Sequence, residues 1–418
     1  MTVAESTVFE ALESNVRGYC RSWPTVFRTA SGGWLRDEQG REYLDFFAGA
    51  GALNYGHNNP VLKRALLDYI AGDGITHALD MSTVAKRALL ETLRDRVLAP
   101  RGLDYKVQFP GPTGANAVEA ALKLARKVTG CQAVLNFTNA FHGMSLGALS
   151  VTGNAAKRAG AGVPLVHVTP MPYDGYLESG DELAWMARAL DDPSSGVDKP
   201  AAVIVETVQG EGGVNVARAE WLRRLAELCA ARGILLIVDD VQMGCGRTGP
   251  FFSFEVAGIT PDIVTLSKSI GGYGLPMALV LFKSELDQWA PGEHNGTFRG
   301  NNPAFVTARV ALEHYWSDDA LERSTKAKGE RIAGVLSRIA ATVSGVSTRG
   351  RGLVHGLVFE DASRAGKVCQ AAFERGLLVE TSGSFDEVVK LLPPLTLADD
   401  ELDHGLDLLG SAVDVVCG

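Results

Sequence analysis

Basic charge is what this sequence is short of: 40 lysines and arginines stand against 49 aspartates and glutamates, a net charge of -9. A nucleic-acid partner needs a basic face, so none is expected. Cysteine is also scarce. Cys20, Cys131, Cys229, Cys245, Cys369 and Cys417 show no CxxC spacing, which argues against a metal site or a disulfide framework and for reduced thiols in a cytoplasmic protein. No apolar run is long enough to cross a bilayer, and Met1-Thr-Val-Ala-Glu-Ser-Thr lacks the basic-then-apolar pattern of a secretion signal, so no membrane association is expected. There is no GxGxxG opening a helix after a strand, which speaks against a nucleotide-binding dehydrogenase. Repeats, low-complexity tracts and flexible linkers are missing too, so any domains should pack tightly.

What is present is apolar. Hydrophobic residues make up 46% of 418 positions, enough for a large core and more than one structural domain. Short apolar runs alternate with amphipathic helices from about residue 105: Ala133 to Phe137, Ala202 to Val205, Leu235 to Val238, Ile263 to Leu266 and Ala278 to Phe282, with a helix from about Ala219 to Ala231. That rhythm predicts an α/β domain with a mostly parallel sheet, whose ligands bind outside the carboxyl ends of the strands. Before it, Phe9, Leu12 and Val16 keep helical spacing, Trp34 to Phe46 reads as a hairpin around an Asp-to-Gly turn, and helices are expected after Pro60 and from Thr83 to Leu98. After about residue 310 come a long helical pattern, a strand over Arg349 to Phe359, and a last helix from about Asp399. The division expected is a small α+β domain built from 1–60 and 310–418, and a large domain over 61–309.

The stretch Ile263-Val-Thr-Leu-Ser-Lys268-Ser-Ile-Gly-Gly272 ends a strand in one lysine followed by small residues, which predicts an amine projecting into a cleft. Most lysines are solvated, so Lys268 alone says little. Upstream, Leu235-Leu-Ile-Val-Asp239-Asp240-Val241-Gln242 runs a buried strand into two carboxylates. A lysine nucleophile paired with an acid at a strand end suggests pyridoxal phosphate, whose pyridinium nitrogen needs an anionic partner. Thr113-Gly114-Ala115 opens a helix whose free N–H groups suit a cofactor phosphate, although Thr113 could equally be an ordinary cap. Phe141-His142-Gly143 offers an aromatic face to a flat ring. Glu206 and Glu211 bracket a glycine-rich strand end, where carboxylates are either solvated or hold a cationic group.

In this order the segments resemble the class III, or omega, aminotransferases of the fold type I pyridoxal phosphate family, and the resemblance covers nearly the whole chain. It implies pyridoxal 5'-phosphate as cofactor, with Lys268 as the Schiff-base lysine and Asp239 as the acid on the ring nitrogen. Val241 then lies beneath the ring, Gln242 bonds its phenolic oxygen, and Phe141 with His142 stacks on it. Thr113, Gly114 and Ala115 cradle the phosphate, and Glu206 belongs to the same cofactor site. Gly296-Thr297-Phe298 resembles the segment that reaches the phosphate of a neighbouring subunit, which implies a homodimer at minimum. Two departures touch the substrate. Met144 stands where the family often has an arginine, and Lys390 replaces the arginine before Pro393-Pro394, so Glu211 is expected to pair with Lys390. Asp45 to Pro60, Thr76 to Met81 and Met171 to Gly175 resemble the branch of ectoine biosynthesis that moves an amino group from L-glutamate to L-aspartate 4-semialdehyde. The products are 2-oxoglutarate and L-2,4-diaminobutyrate, and Ala50 suits its pocket. Other members use acetylornithine, ornithine or 4-aminobutyrate, or isomerise glutamate 1-semialdehyde. A non-catalytic protein on the same fold is the alternative outside enzymes.

Overall fold

The computed structural model describes residues 7–178 and 180–418. Its centre is a seven-stranded sheet. In chain order the strands are β1 (Tyr105–Gln108), β2 (Val134–Phe137), β3 (Val168–Met171), β4 (Ala202–Val205), β5 (Leu235–Asp239), β6 (Ile263–Leu266) and β7 (Leu279–Lys283). They lie in the order β1, β7, β6, β5, β4, β2, β3. Only β7 runs against its neighbours; the other adjacent pairs are parallel. Every residue of β2, β4 and β6 is buried, as a sheet covered on both faces requires. The architecture is therefore the expected α/β one. Two of its strands, β1 and β3, are not among the five apolar runs, because lysine, threonine and proline interrupt them.

Helix α1 (Gly114–Thr129) packs on β6 and β7. It buries Ala117, Ala120, Ala121 and Ala125 beside Val118, Leu122 and Leu124, and the small side chains let it lie close to the sheet. It begins at the Thr113 cap and ends at Gly130, whose φ of 70° closes the last turn in the left-handed region.

Two smaller, mainly antiparallel sheets carry the chain ends. Phe27–Ser31, Trp34–Asp37 and Glu42–Asp45 form a meander. Leu377–Leu378 joins its edge in parallel, opposite Leu44 and Asp45, so distant parts of the sequence share one sheet. The other sheet orders Val346–Arg351, Val354–Phe359, Val388–Leu391 and Glu380–Ser382. Here the expectation of one strand over 349–359 is corrected: the chain turns at Gly352, φ 59°, and the two arms pair as a hairpin. The helix expected over 83–98 is α-helical through Val84–Leu93 and widens into a π turn at Arg94–Leu98. At the start, the helix covers Thr7–Leu12 only, and Val16 lies beyond it, exposed. Among the described residues no helix is long and apolar enough to cross a membrane.

Candidate active site

The exits of the parallel strands converge. Phe141 and His142 follow β2, Glu206 follows β4, Asp239 ends β5, and Lys268 lies two residues beyond β6. With Gly114 and Ala115 from the start of α1, they line a cavity of about 180 Å³, completed by Gly143, Glu211, Val241, Gln242 and Met243.

Lys268 has a φ of 52°, a left-handed conformation that costs a non-glycine residue energy and marks a constrained position. Its Nζ donates to the carbonyl of Ala50 at 2.8 Å. The serines on either side are tied down, Ser267 to the Met277 carbonyl at 2.9 Å and Ser269 to that of Gly51 at 2.7 Å. Burial pushes the lysine's pKa down, and the charge of Lys390 adds to it against the pull of Glu211. A larger fraction of the amine is thereby neutral.

The two adjacent acids are separated by their partners. Asp239 Oδ2 lies 2.6 Å from His142 Nδ1, and Oδ1 accepts from the Val241 amide and the Thr265 hydroxyl, each at 3.1 Å. Burial opposes a charge on His142, but the hydrogen bond and charge of Asp239 prevail and raise its pKa. Asp240 turns the other way, accepting the amide of Ser253 at 3.0 Å and its hydroxyl. Burial pushes the Asp240 carboxyl up to about 7. Asp239 is thus the acid that lines the cavity.

Glu206 accepts the Phe141 amide at 2.9 Å, and burial raises its pKa to about 8, with His142 opposing. It anchors the backbone beside the aromatic ring and is mostly uncharged at neutral pH. Glu211 behaves oppositely. Its Oε1 accepts from Lys390 Nζ at 2.7 Å and from Gln242 Nε2 at 3.1 Å. Burial would raise its pKa, but Lys390 and Lys268 override that and hold it at about 2. Gln242 Nε2 also donates to the Ala50 carbonyl at 3.0 Å.

Not every expected residue arrives by the expected route. Ala50 meets Lys268 and Gln242 through its carbonyl, and it does not line the cavity with its side chain. Thr113 is outside the lining; its hydroxyl accepts the Asn116 amide at 3.3 Å and donates to Asn116 Oδ1 at 2.8 Å. Thr297 lies on the surface, its carbonyl 2.5 Å from His77 Nε2. Met144 is also exposed and leaves the cavity wall without a cation at that position. The sequence reading missed Glu380, 3.0 Å from Lys390 Nζ. Glu380 stands directly opposite Lys390 in the antiparallel ladder of Glu380–Ser382 with Val388–Leu391. The signal was present: Gly383 separates two apolar runs that carry a carboxylate and a lysine at matching hairpin positions.

A lysine amine, a carboxylate with a supporting imidazole, and a helix N-terminus around one cavity at a parallel sheet's carboxyl edge define a fold type I pyridoxal phosphate enzyme. The sequence matches the Aminotransferase class-III family over residues 19–413, and the chain belongs to that family. A diaminobutyrate--2-oxoglutarate transaminase of Nocardia farcinica is 79% identical over 418 residues, covering 100% of this chain and 96% of the relative. One from Streptomyces anulatus is 67% identical, covering 97% of each chain. Among solved structures, the ornithine aminotransferase of Toxoplasma gondii ME49 superposes with a TM-score of 0.85 at 27% identity, over 98% of this chain and 94% of that one.

The residues present fit pyridoxal phosphate. Asn116 and Ala117 donate to the Thr113 hydroxyl and carbonyl, which leaves the amides of Gly114 and Ala115 as unspent donors at the cavity. A Cβ on Gly114 would come within 2.8 Å of Val241 Cγ1 and narrow the space between helix and ring floor. Gln242 Oε1 is buried without a partner. The Asp239 carboxylate, steadied by His142, matches a protonated ring nitrogen.

Proposed function

We propose that the chain transfers an amino group between L-glutamate and L-aspartate 4-semialdehyde, forming 2-oxoglutarate and L-2,4-diaminobutyrate. The observation that carries this reading is the identity of 79% over the full length with a relative of that name, together with a lysine cavity built from the same chain. When bound, pyridoxal phosphate supplies an aldehyde that takes up the amino group and a ring that withdraws electrons from the carbon bearing it.

The roles of the residues follow from their surroundings. Lys268 moves the proton at the amine-bearing carbon of the substrate, because its amine is constrained at the cavity and burial favours its neutral form. Asp239 keeps a proton on the ring nitrogen, and His142 holds that carboxylate in place. Gly114 and Ala115 donate their amides to the phosphate, while Phe141 and Val241 confine the ring. Gln242 supplies the polar contact at the phenolic oxygen, and Glu206 fixes the Phe141 backbone. Glu211, Lys390 and the Ala50 carbonyl form the polar wall on the substrate side.

We assign residues 1–60 and 310–418 to a small domain and 61–309 to a large one; the pairing of Leu377–Leu378 with Glu42–Asp45 supports the small domain's two-part origin. Thr297 serves the phosphate of a second subunit. In support, it is exposed beside the exposed Phe298, and its carbonyl meets His77, whose segment exposes Ile75 and Leu79. A homodimer is then the smallest complete unit. The six free cysteines accord with a cytoplasmic protein, and ectoine biosynthesis is the destination that the sequence resemblance favours.

The test is to mix the cofactor-loaded protein separately with L-2,4-diaminobutyrate, L-glutamate, ornithine and 4-aminobutyrate while following cofactor absorbance. Rapid change with the first two alone is expected. Faster change with ornithine or 4-aminobutyrate would overturn the named substrate and leave the family standing.

A further inference from the structure

This inference rests on the diaminobutyrate reading and concerns the end of the substrate that does not react. A cavity of about 910 Å³ adjoins the lysine site, and Phe141 and Glu211 line both. Its wall carries Glu211, Glu380, Asp386 and Lys157, and Lys390 lies behind the first two. Lys390 is fully buried with two carboxylates, Glu211 at 2.7 Å and Glu380 at 3.0 Å. Glu380 is 8% exposed and held by its strand directly across from Lys390, so it cannot swing into solvent. Burial raises its pKa, Lys390 resists, and the charge of Glu211 adds to the rise. Glu211 and Glu380 share the one cation Lys390, so the cluster holds a carboxylate in excess, which favours the arrival of a second cation.

The same cavity carries a cation of its own. Lys157 Nζ sits 4.3 Å from the centroid of the Phe141 ring. No carboxylate among the described residues forms an ion pair with it; the aromatic face is its partner. Lys157 therefore lines the outer cavity beside the ring that borders both spaces, with no carboxylate paired to it among the described residues.

A diamino acid whose terminal amine reacts at Lys268 presents one ammonium and one carboxylate at its far end. L-Glutamate, reacting through its α-amine, presents a carboxylate there and no ammonium. We propose that the outer cavity reads this far end, with Glu380 taking the α-ammonium of diaminobutyrate and Lys157 taking the carboxylate of either substrate. This supplies the carboxylate grip that Met144 and Lys390 do not. Lys390 is consumed by its two glutamates, and Met144 carries no charge. A lysine grips as a point charge where an arginine would impose a planar fork, so one residue can serve carboxylates of two different geometries.

The experiment uses three amines that separate the two contacts. L-2,4-Diaminobutyrate has both far-end groups, 4-aminobutyrate lacks the ammonium, and 1,3-diaminopropane lacks the carboxylate. In the cofactor-loaded enzyme, Glu380→Gln should lower the ratio of kcat/KM for diaminobutyrate over 4-aminobutyrate roughly tenfold or more, the worth of one charged hydrogen bond. Lys157→Met should lower the ratio of diaminobutyrate over 1,3-diaminopropane by a similar factor and raise KM for L-glutamate. A general structural defect would move numerator and denominator together. Calorimetric titration of the Lys268→Ala protein, with and without each second substitution, should show the same shifts in Kd without turnover. Ratios within about twofold of the unsubstituted enzyme would overturn the inference. If Glu380→Gln does not fold, Glu380→Asp and the half-buried Lys157 position still decide it. Should the unsubstituted enzyme prefer 4-aminobutyrate to diaminobutyrate, the substrate reading itself falls and takes the inference with it.

Discussion

His142 Nδ1 lies 2.6 Å from Asp239 Oδ2, both side chains buried at the carboxyl edge of the sheet, where β2 and β5 flank β4. The contact raises the imidazole's pKa above its ordinary 6.5, against the effect of burial. A group raised on folding contributes stability in full below its unfolded pKa and loses it as pH rises through the folded value. Thermal melts of the wild type and His142→Gln should therefore differ most below pH 6.5, by about 1–3 kcal/mol, and converge as pH rises through the raised folded value. An advantage independent of pH would mean that the pair is not charged.

Glu211→Gln removes the carboxylate that holds Lys390. Glu211 titrates at about 2, below its ordinary 4.5. Its stabilisation is complete above pH 4.5 and is lost as pH falls toward 2. At neutral pH the substitution should cost about 2 kcal/mol in denaturant unfolding, less than the roughly 3–5 kcal/mol for breaking an isolated buried pair, because Glu380 remains on Lys390. KM for both amino donors should change as well. Unchanged values would remove Glu211 from the substrate wall.

Gly210→Ala tests the packing behind Gln242. A Cβ there would stand 1.8 Å from Gln242 Oε1, so the amide must leave its contacts with Ala50 and Glu211. A loss of about 1–3 kcal/mol is expected by thermal or denaturant unfolding, with weaker cofactor retention on dialysis. Gly249→Ala, where nothing lies within 4 Å but φ is 112°, gives the cost of backbone strain alone for comparison.

Thr297 is exposed and Lys268 lines the cavity, which allows a complementation test. Lys268→Ala should abolish turnover while the fold persists, and Thr297→Ala should weaken cofactor binding. In mixed dimers of the two variants, one site regains both intact residues if Thr297 acts across the interface. Activity should rise on mixing and refolding the two variants. No gain would return Thr297 to an ordinary surface turn.

Much of the site was legible because strand ends announce themselves. A buried apolar run leading straight into Asp239, or through Ser267 into Lys268, leaves the polar residue at the sheet edge whatever the rest of the chain does. The hairpin at Trp34 to Asp45 and the helix after Asn59-Pro60 were readable for the same local reason, since turn and cap chemistry act over a few residues. What the sequence could not show lies in the contacts that each side chain or carbonyl finally makes. The hydroxyl of Thr113, expected at the phosphate, caps its own helix through Asn116, the alternative that the sequence had left open. Ala50, expected at the substrate pocket, presents its carbonyl at a φ of 56° to Lys268 from 218 positions away.

From the sequence alone follow the α/β class, because periodicity is a property of neighbours along the chain, and, through the motifs that carry the family resemblance, the cofactor type and Lys268 as candidate lysine beside an Asp239-Asp240 pair. Only the tertiary structure decided which of two adjacent aspartates faces the cavity, that Glu206 is mostly neutral while Glu211 is ionised, and that Lys390 carries a second carboxylate. Those outcomes depend on burial and on charges brought together across the fold. The free energy of a charge is set by what surrounds it in space, and sequence order does not contain that.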